Sequence, residues 1–107
     1  MRFAVRIVQF VGSLPKAKAV QVIGGQLVRS GTSVGSNYWA ACRARSRAEF
    51  LAKMGIVEEE ADESLYWMEL LIRSGQVKSD ELKPLMQEAN EILSLTVSSI
   101  QTARSRT

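Results

Sequence analysis

Ser30-Gly31-Thr32-Ser33-Val34-Gly35-Ser36-Asn37 is the stretch whose reading decides the fold. By propensity it is a loop, because Gly and Ser disfavour helix and Gly31 suits a C-cap. By period it is helix. Val20, Ile23, Leu27, Ser30, Val34, Asn37 and Ala41 recur at alternating steps of three and four, which places them on one helical face. The periodic reading is preferred. It predicts one long helix in which Gly24, Gly31 and Gly35 let a neighbouring backbone approach closely.

Working outward, Phe3, Ile7, Phe10 and Leu14 hold the same spacing in an N-terminal segment that Pro15 ends. Downstream, Ser46-Arg47-Ala48-Glu49 has the pattern of a capping box. Ser46 can accept the Glu49 amide while Glu49 reaches back to the Ser46 amide. Behind it, Phe50, Met54, Val57, Ala61, Ser64, Met68 and Leu71 keep a strict four-three frame, widened by Leu51, Leu65 and Ile72 and closed by Gly75 as a C′ residue. A fourth segment has Asp80 and Glu81 near its start, favourable at a helix N-terminus, then Leu82, Met86, Ala89, Leu93, Thr96, Ile100 and Ala103 in one frame. Pro84 predicts an irregular or late start there. Four amphipathic segments with short connections must bury their stripes against one another. The expected fold is therefore all-α, an antiparallel up-and-down four-helix bundle in a single domain spanning residues 1–107.

The 107 residues, 46% hydrophobic and 23% charged, are too few for two folded domains and enough for one core. Fourteen Lys and Arg against eleven acidic residues give a net charge of +3, compatible with a polyanionic partner. A single cysteine, Cys42, forbids an intramolecular disulfide and fits a reducing compartment, so the cytoplasm is expected. The stretch Phe3 to Val11 makes a poor signal peptide, and no run approaches the roughly 18 apolar residues of a membrane span. A soluble, unprocessed protein with no membrane partner is expected.

The absence of histidine removes the usual general base and the usual nitrogen ligand for metals, and with it most enzyme chemistries. The Glu-x-x-His pairs of a di-iron bundle are missing. Cys42 has no histidine to activate it and reads as a small buried hydrophobe. Gly31-Thr32-Ser33-Val34-Gly35 lacks the Lys and the preceding strand of a phosphate loop. No catalytic residue, cofactor, metal or small-molecule substrate is expected. The acidic run Glu58, Glu59, Glu60, Asp62 and Glu63 reads as a solvated face, with Glu63 able to reach an interhelical boundary.

Two sets of residues remain. Arg43, Arg45 and Arg47 alternate across the second turn, where they can bind phosphates or simply complement the C-terminal dipole of the second helix. Arg104 and Arg106 add charge at the tail, placed by this reading at the opposite end of the bundle. Trp39, Tyr66 and Trp67 lie beside the core frames and suit either a protein interface or peripheral packing.

Arg29, Ser33, Val34 and Asn37, followed by Tyr38, spell Arg-x-x-x-Ser-Val-x-x-Asn. With the apolar first helix ending at Pro15, the Glu63 to Gly75 stretch and the ending Thr102-Ala103-Arg104, the chain resembles the four-helix-bundle proteins encoded in 23S rRNA intervening sequences. Their relatives include the accessory protein of diversity-generating retroelements. Where that family carries Glu-Gly after its Asn, this chain has Ala40 and Ala41. The resemblance implies a helical Gly31 to Asn37 and a ring-shaped homopentamer. For the retroelement branch it implies binding to nucleic acid and a reverse transcriptase.

With the turn centred near Arg45, antiparallel helices bring Arg29 and Glu63 to one level, predicting a polar cluster of Arg29, Ser33, Asn37 and Glu63 between helices two and three. Two functions follow as expectations. The first is a non-enzymatic oligomeric scaffold that binds structured RNA or a ribonucleoprotein partner through Arg43, Arg45 and Arg47, with Arg104 and Arg106 secondary. The second is a protein-binding adaptor that uses Trp39, Tyr66 and Trp67.

Overall fold

The computed structural model describes residues 1–106, an all-helical rod of 50 × 19 × 19 Å. Four helices follow one another: α1 (Arg2–Gly12), α2 (Lys18–Cys42), α3 (Arg47–Arg73) and α4 (Ser79–Ser105). Each packs on its neighbours in sequence and α1 closes against α4, while the diagonal pairs stay apart. This is the up-and-down arrangement that short connections favour.

The Ser30 to Asn37 stretch lies wholly inside α2. Its glycines explain how a sequence so poor in helix formers stays helical. A Cβ on Gly31 would stand 2.9 Å from Cγ2 of Ile7, and one on Gly24 would stand 3.1 Å from Val11. Backbone room on α2 is filled by apolar side chains of α1, and that burial outweighs a propensity cost of about 1 kcal/mol per glycine. The same contacts set the register. Ile7 faces Gly31 and Ala4 faces Gly35, so α1 begins near the level of Asn37 and the last turn of α2 runs on past it.

α3 starts at the predicted cap: the Ser46 hydroxyl accepts the Glu49 amide at 3.0 Å. The reciprocal half is shifted by one residue, because the Glu49 carboxylate accepts from the amide of Arg45 at 3.5 Å instead of that of Ser46. Gly75, with φ of +78°, ends the helix. Its amide reaches the Ile72 carbonyl and the Gln76 amide reaches that of Leu71. The α3 frame is buried as read, from Met54 and Val57 through Ala61 and Ser64 to Met68 and Leu71.

α4 departs from expectation. It begins at Ser79, ahead of Pro84, and continues through it. The amide that Pro84 lacks would have served the carbonyl of exposed Asp80, which water can satisfy, so the proline costs little this close to the start. The core also takes Leu85 more deeply than Met86, and Val77 caps it from the connection between α3 and α4. Among the described residues, no helix is long and apolar enough to cross a membrane.

Candidate functional site

Antiparallel alternation places the functional charges. α2 ends where α3 begins, α3 reverses the direction and α4 reverses it again, so the C-terminus of α4 returns to the end that carries the turn between α2 and α3. The Arg47 guanidinium donates to the backbone carbonyl of Arg106 and joins the two segments directly. The expectation that the tail and the arginine turn lie at opposite ends is thus overturned, because two reversals restore the starting direction. Arg43, Arg45, Arg47, Arg104 and Arg106 share one end of the rod, all exposed. Glu49 is the one carboxylate within the first turn of α3. The other end mixes Lys16, Lys18, Arg73, Lys78 and Lys83 with Glu69, Asp80 and Glu81, and Arg73 is held by Glu69 at 2.9 Å.

Within the basic end, Arg43 is the C-cap residue of α2, and its guanidinium carbon lies 4.3 Å from the centroid of the Trp39 ring. That stack holds the cation over the indole and the indole at the surface. Cys42 is exposed on the last turn of α2, which corrects its reading as a buried hydrophobe: α1 starts too low to cover it. Tyr38, one turn before it, ionises above the ordinary tyrosine range. Hydrogen bonding to Cys42 is the main cause, followed by the charge of that thiol and by partial burial.

The predicted polar cluster resolves into separate pieces. Arg29 does reach Glu63 across the helices, and it reaches Glu60 as well, at 3.1 Å, while its Nε donates to Gln26 at 3.0 Å. Trp67 donates its indole N–H to Glu63 at 2.9 Å. Ser33 and Asn37 stay apart from that group. Asn37 donates to the Ser33 carbonyl at 2.9 Å and hydroxyl at 3.0 Å, all within α2, because Ser33 lies about one helical turn and Asn37 about two turns from the level of Arg29. The buried polar link between α2 and α3 is a different one, which sequence reasoning missed. The hydroxyls of Ser30 and Ser64 lie 2.9 Å apart, both fully buried. Each occupies a core frame position, and that was the available signal.

The acidic run is only partly solvated: Glu59 and Asp62 face water, whereas Glu58, Glu60 and Glu63 are half-buried. The ion pair of Arg6 with Glu88, which ties α1 to α4, was also not foreseen. Eighty-two positions separate its partners, and no local pattern links them.

The three aromatics do not form one surface. Trp39 stands at the basic end. Tyr66 and Trp67 lie on α3, at the level of the lower half of α2, about 16 Å away along the axis at 1.5 Å per residue. Those two rings pack edge to face, with centroids 4.9 Å apart. Tyr66 is 57% exposed, while Trp67 leans on the core. An apolar groove of about 550 Å³ runs between α1 and α2, with Val5 and Val8 on one wall and Trp39 at its upper end.

A sequence model of the 23S rRNA-intervening sequence protein family matches residues 1–98. The fold is similar to the crystal structure of a protein of unknown function from the S23 ribosomal protein family of Bacteroides thetaiotaomicron. The two share 39% identity and superpose with a TM-score of 0.87, over 94% of this chain and 89% of that one. No match to this chain was found among curated proteins.

Proposed function

The chain belongs to the 23S rRNA-intervening sequence protein family, and from that premise we propose that it is a non-enzymatic helical scaffold that binds structured RNA at its arginine-rich end. The observation that carries this reading is the gathering of Arg43, Arg45, Arg47, Arg104 and Arg106 at one end of the rod. Guanidinium groups held by a turn and a helix end offer paired donors to phosphate oxygens, and even Arg47, which gives one N–H to the Arg106 carbonyl, keeps others facing water. The scaffold acts in the cytoplasm and assembles as a homopentamer. Val22 and Leu95, exposed on outer helix faces, supply apolar area for that assembly. Repeating the basic end around a ring multiplies weak phosphate contacts by avidity, whether the RNA is free or held by a reverse transcriptase.

The test is the anisotropy of a labelled structured RNA titrated with protein at low and near-physiological salt, beside an unrelated RNA of equal length. Tight binding that weakens steeply with salt supports the reading, and its loss on replacing Arg43, Arg45 and Arg47 together by Ala assigns the site. Absence of binding at both salts rejects it. A second reading, a protein-binding adaptor, draws on Tyr66, exposed and braced against Trp67. An apolar interface of that kind keeps its affinity as salt rises.

A further inference from the structure

Trp39 is 52% exposed at the basic end, next to exposed Tyr38 and beneath Arg43, and away from Tyr66. An exposed indole offers a rigid apolar face with a polar N–H, a surface suited to stacking. One cation, Arg43, lies over its ring at 4.3 Å and fixes its orientation. The same ring closes the upper end of the groove between α1 and α2, whose walls of Ala4, Val5, Val8 and Gly35 are almost wholly apolar. The site therefore combines a held aromatic face, an apolar recess of about 550 Å³ and the Arg43 cation at its rim.

A planar, π-faced group tethered to phosphates meets all three requirements at once. We infer that Trp39 and the groove beside it take an unpaired nucleobase, stacked on the indole, of an RNA whose phosphates lie on Arg43 and the other arginines of the same end. This deepens the RNA-binding reading and rests on it. Paired bases are stacked within their helix and cannot enter, so the site selects a loop, bulge or single strand over a continuous duplex. Charge decides the occupant. Another copy seated on this groove would bring net positive charge against Arg43, whereas a polynucleotide brings the compensating charge, so contacts between copies fall on other faces.

The experiment compares the wild type with Trp39→Ala, Trp39→Phe and Trp67→Phe, using a single-stranded RNA of about twelve nucleotides and a blunt RNA duplex. Thermal melting and solution mass establish that each variant folds and assembles as the wild type does. Binding of the single strand should quench tryptophan emission in the wild type and in Trp67→Phe, but not in Trp39→Ala. Trp39→Ala should weaken single-strand affinity at least about five-fold and leave both duplex affinity and the salt slope unchanged, because stacking releases no counterions. Trp39→Phe should retain most of the affinity.

Wild-type affinity and unaltered quenching in Trp39→Ala overturn the inference. So does a Trp39→Ala protein whose solution mass falls while its RNA affinity holds, since the groove is then covered by another copy. Binding of RNA with indifference to Trp39 removes this inference alone. No binding by the wild type at either salt removes the RNA reading as well.

Discussion

Ser30 and Ser64 carry the one fully buried polar contact between the two longest-packed helices, and their geometry makes the pair interdependent. Ser30 donates to the Leu27 carbonyl at 3.3 Å, which leaves its lone pairs for the Ser64 hydroxyl at 2.9 Å. Ser64 has a second acceptor, the Glu60 carbonyl at 2.8 Å, so neither proton is stranded when the other residue is truncated. Ser30→Ala and Ser64→Ala should each cost about 1 kcal/mol, and the double variant less than their sum, because each single variant already loses the one hydrogen bond the two residues share. Urea unfolding of the four proteins measures the coupling, and strict additivity would mean that the two hydroxyls do not depend on each other. Asn37→Ala should stay within about 0.5 kcal/mol of the wild type, since its bonds run inside α2 and no partner across the interface is abandoned.

At the scale of helices, glycine acts with opposite sign according to what lies beside it. Gly31 faces Ile7, a β-branched and fully buried side chain with Cγ2, Cγ1 and Cβ all within 3.2 Å of an added methyl. Gly31→Ala should push α1 outward at a cost of about 1–3 kcal/mol, more than the roughly 1 kcal/mol gained in helix propensity. Gly25, on the same helix, meets nothing within 4 Å, so Gly25→Ala should raise the melting temperature. A melting comparison in which both variants move the same way would contradict the role given to Ile7. This balance also explains what the sequence makes legible. The three-four frame through Gly31 and Gly35 survived because burial against α1 acts at every second turn, while propensity acts weakly and locally. Pro84 was over-read because one missing amide near an exposed helix start is cheap. The pairs Arg6 with Glu88 and Arg29 with Glu60 were invisible because they depend on side-chain reach across helices, and a frame of apolar positions does not encode that.

For the whole molecule, the placement of charge matters more than its total. The chain carries only +3, yet five arginines stand at one end and the other end is mixed. Sequence reasoning found these arginines one by one but put the tail at the wrong end, since direction in a bundle is a property of all four helices together. Replacing Arg43, Arg45 and Arg47 by Ala removes three charges from the basic end, and replacing Lys16, Lys18 and Lys78 by Ala removes three from the far end. The net charge of the two variants is the same, so any effect of overall charge on RNA binding is matched between them. If phosphates lie on the basic end, the arginine variant should flatten the plot of log affinity against log salt by about two to three units, at roughly 0.7–0.9 per lost phosphate contact. The lysine variant should leave the slope near that of the wild type. Equal flattening in both would mean that the chain attracts RNA by its net charge alone and that the arginine end is no site.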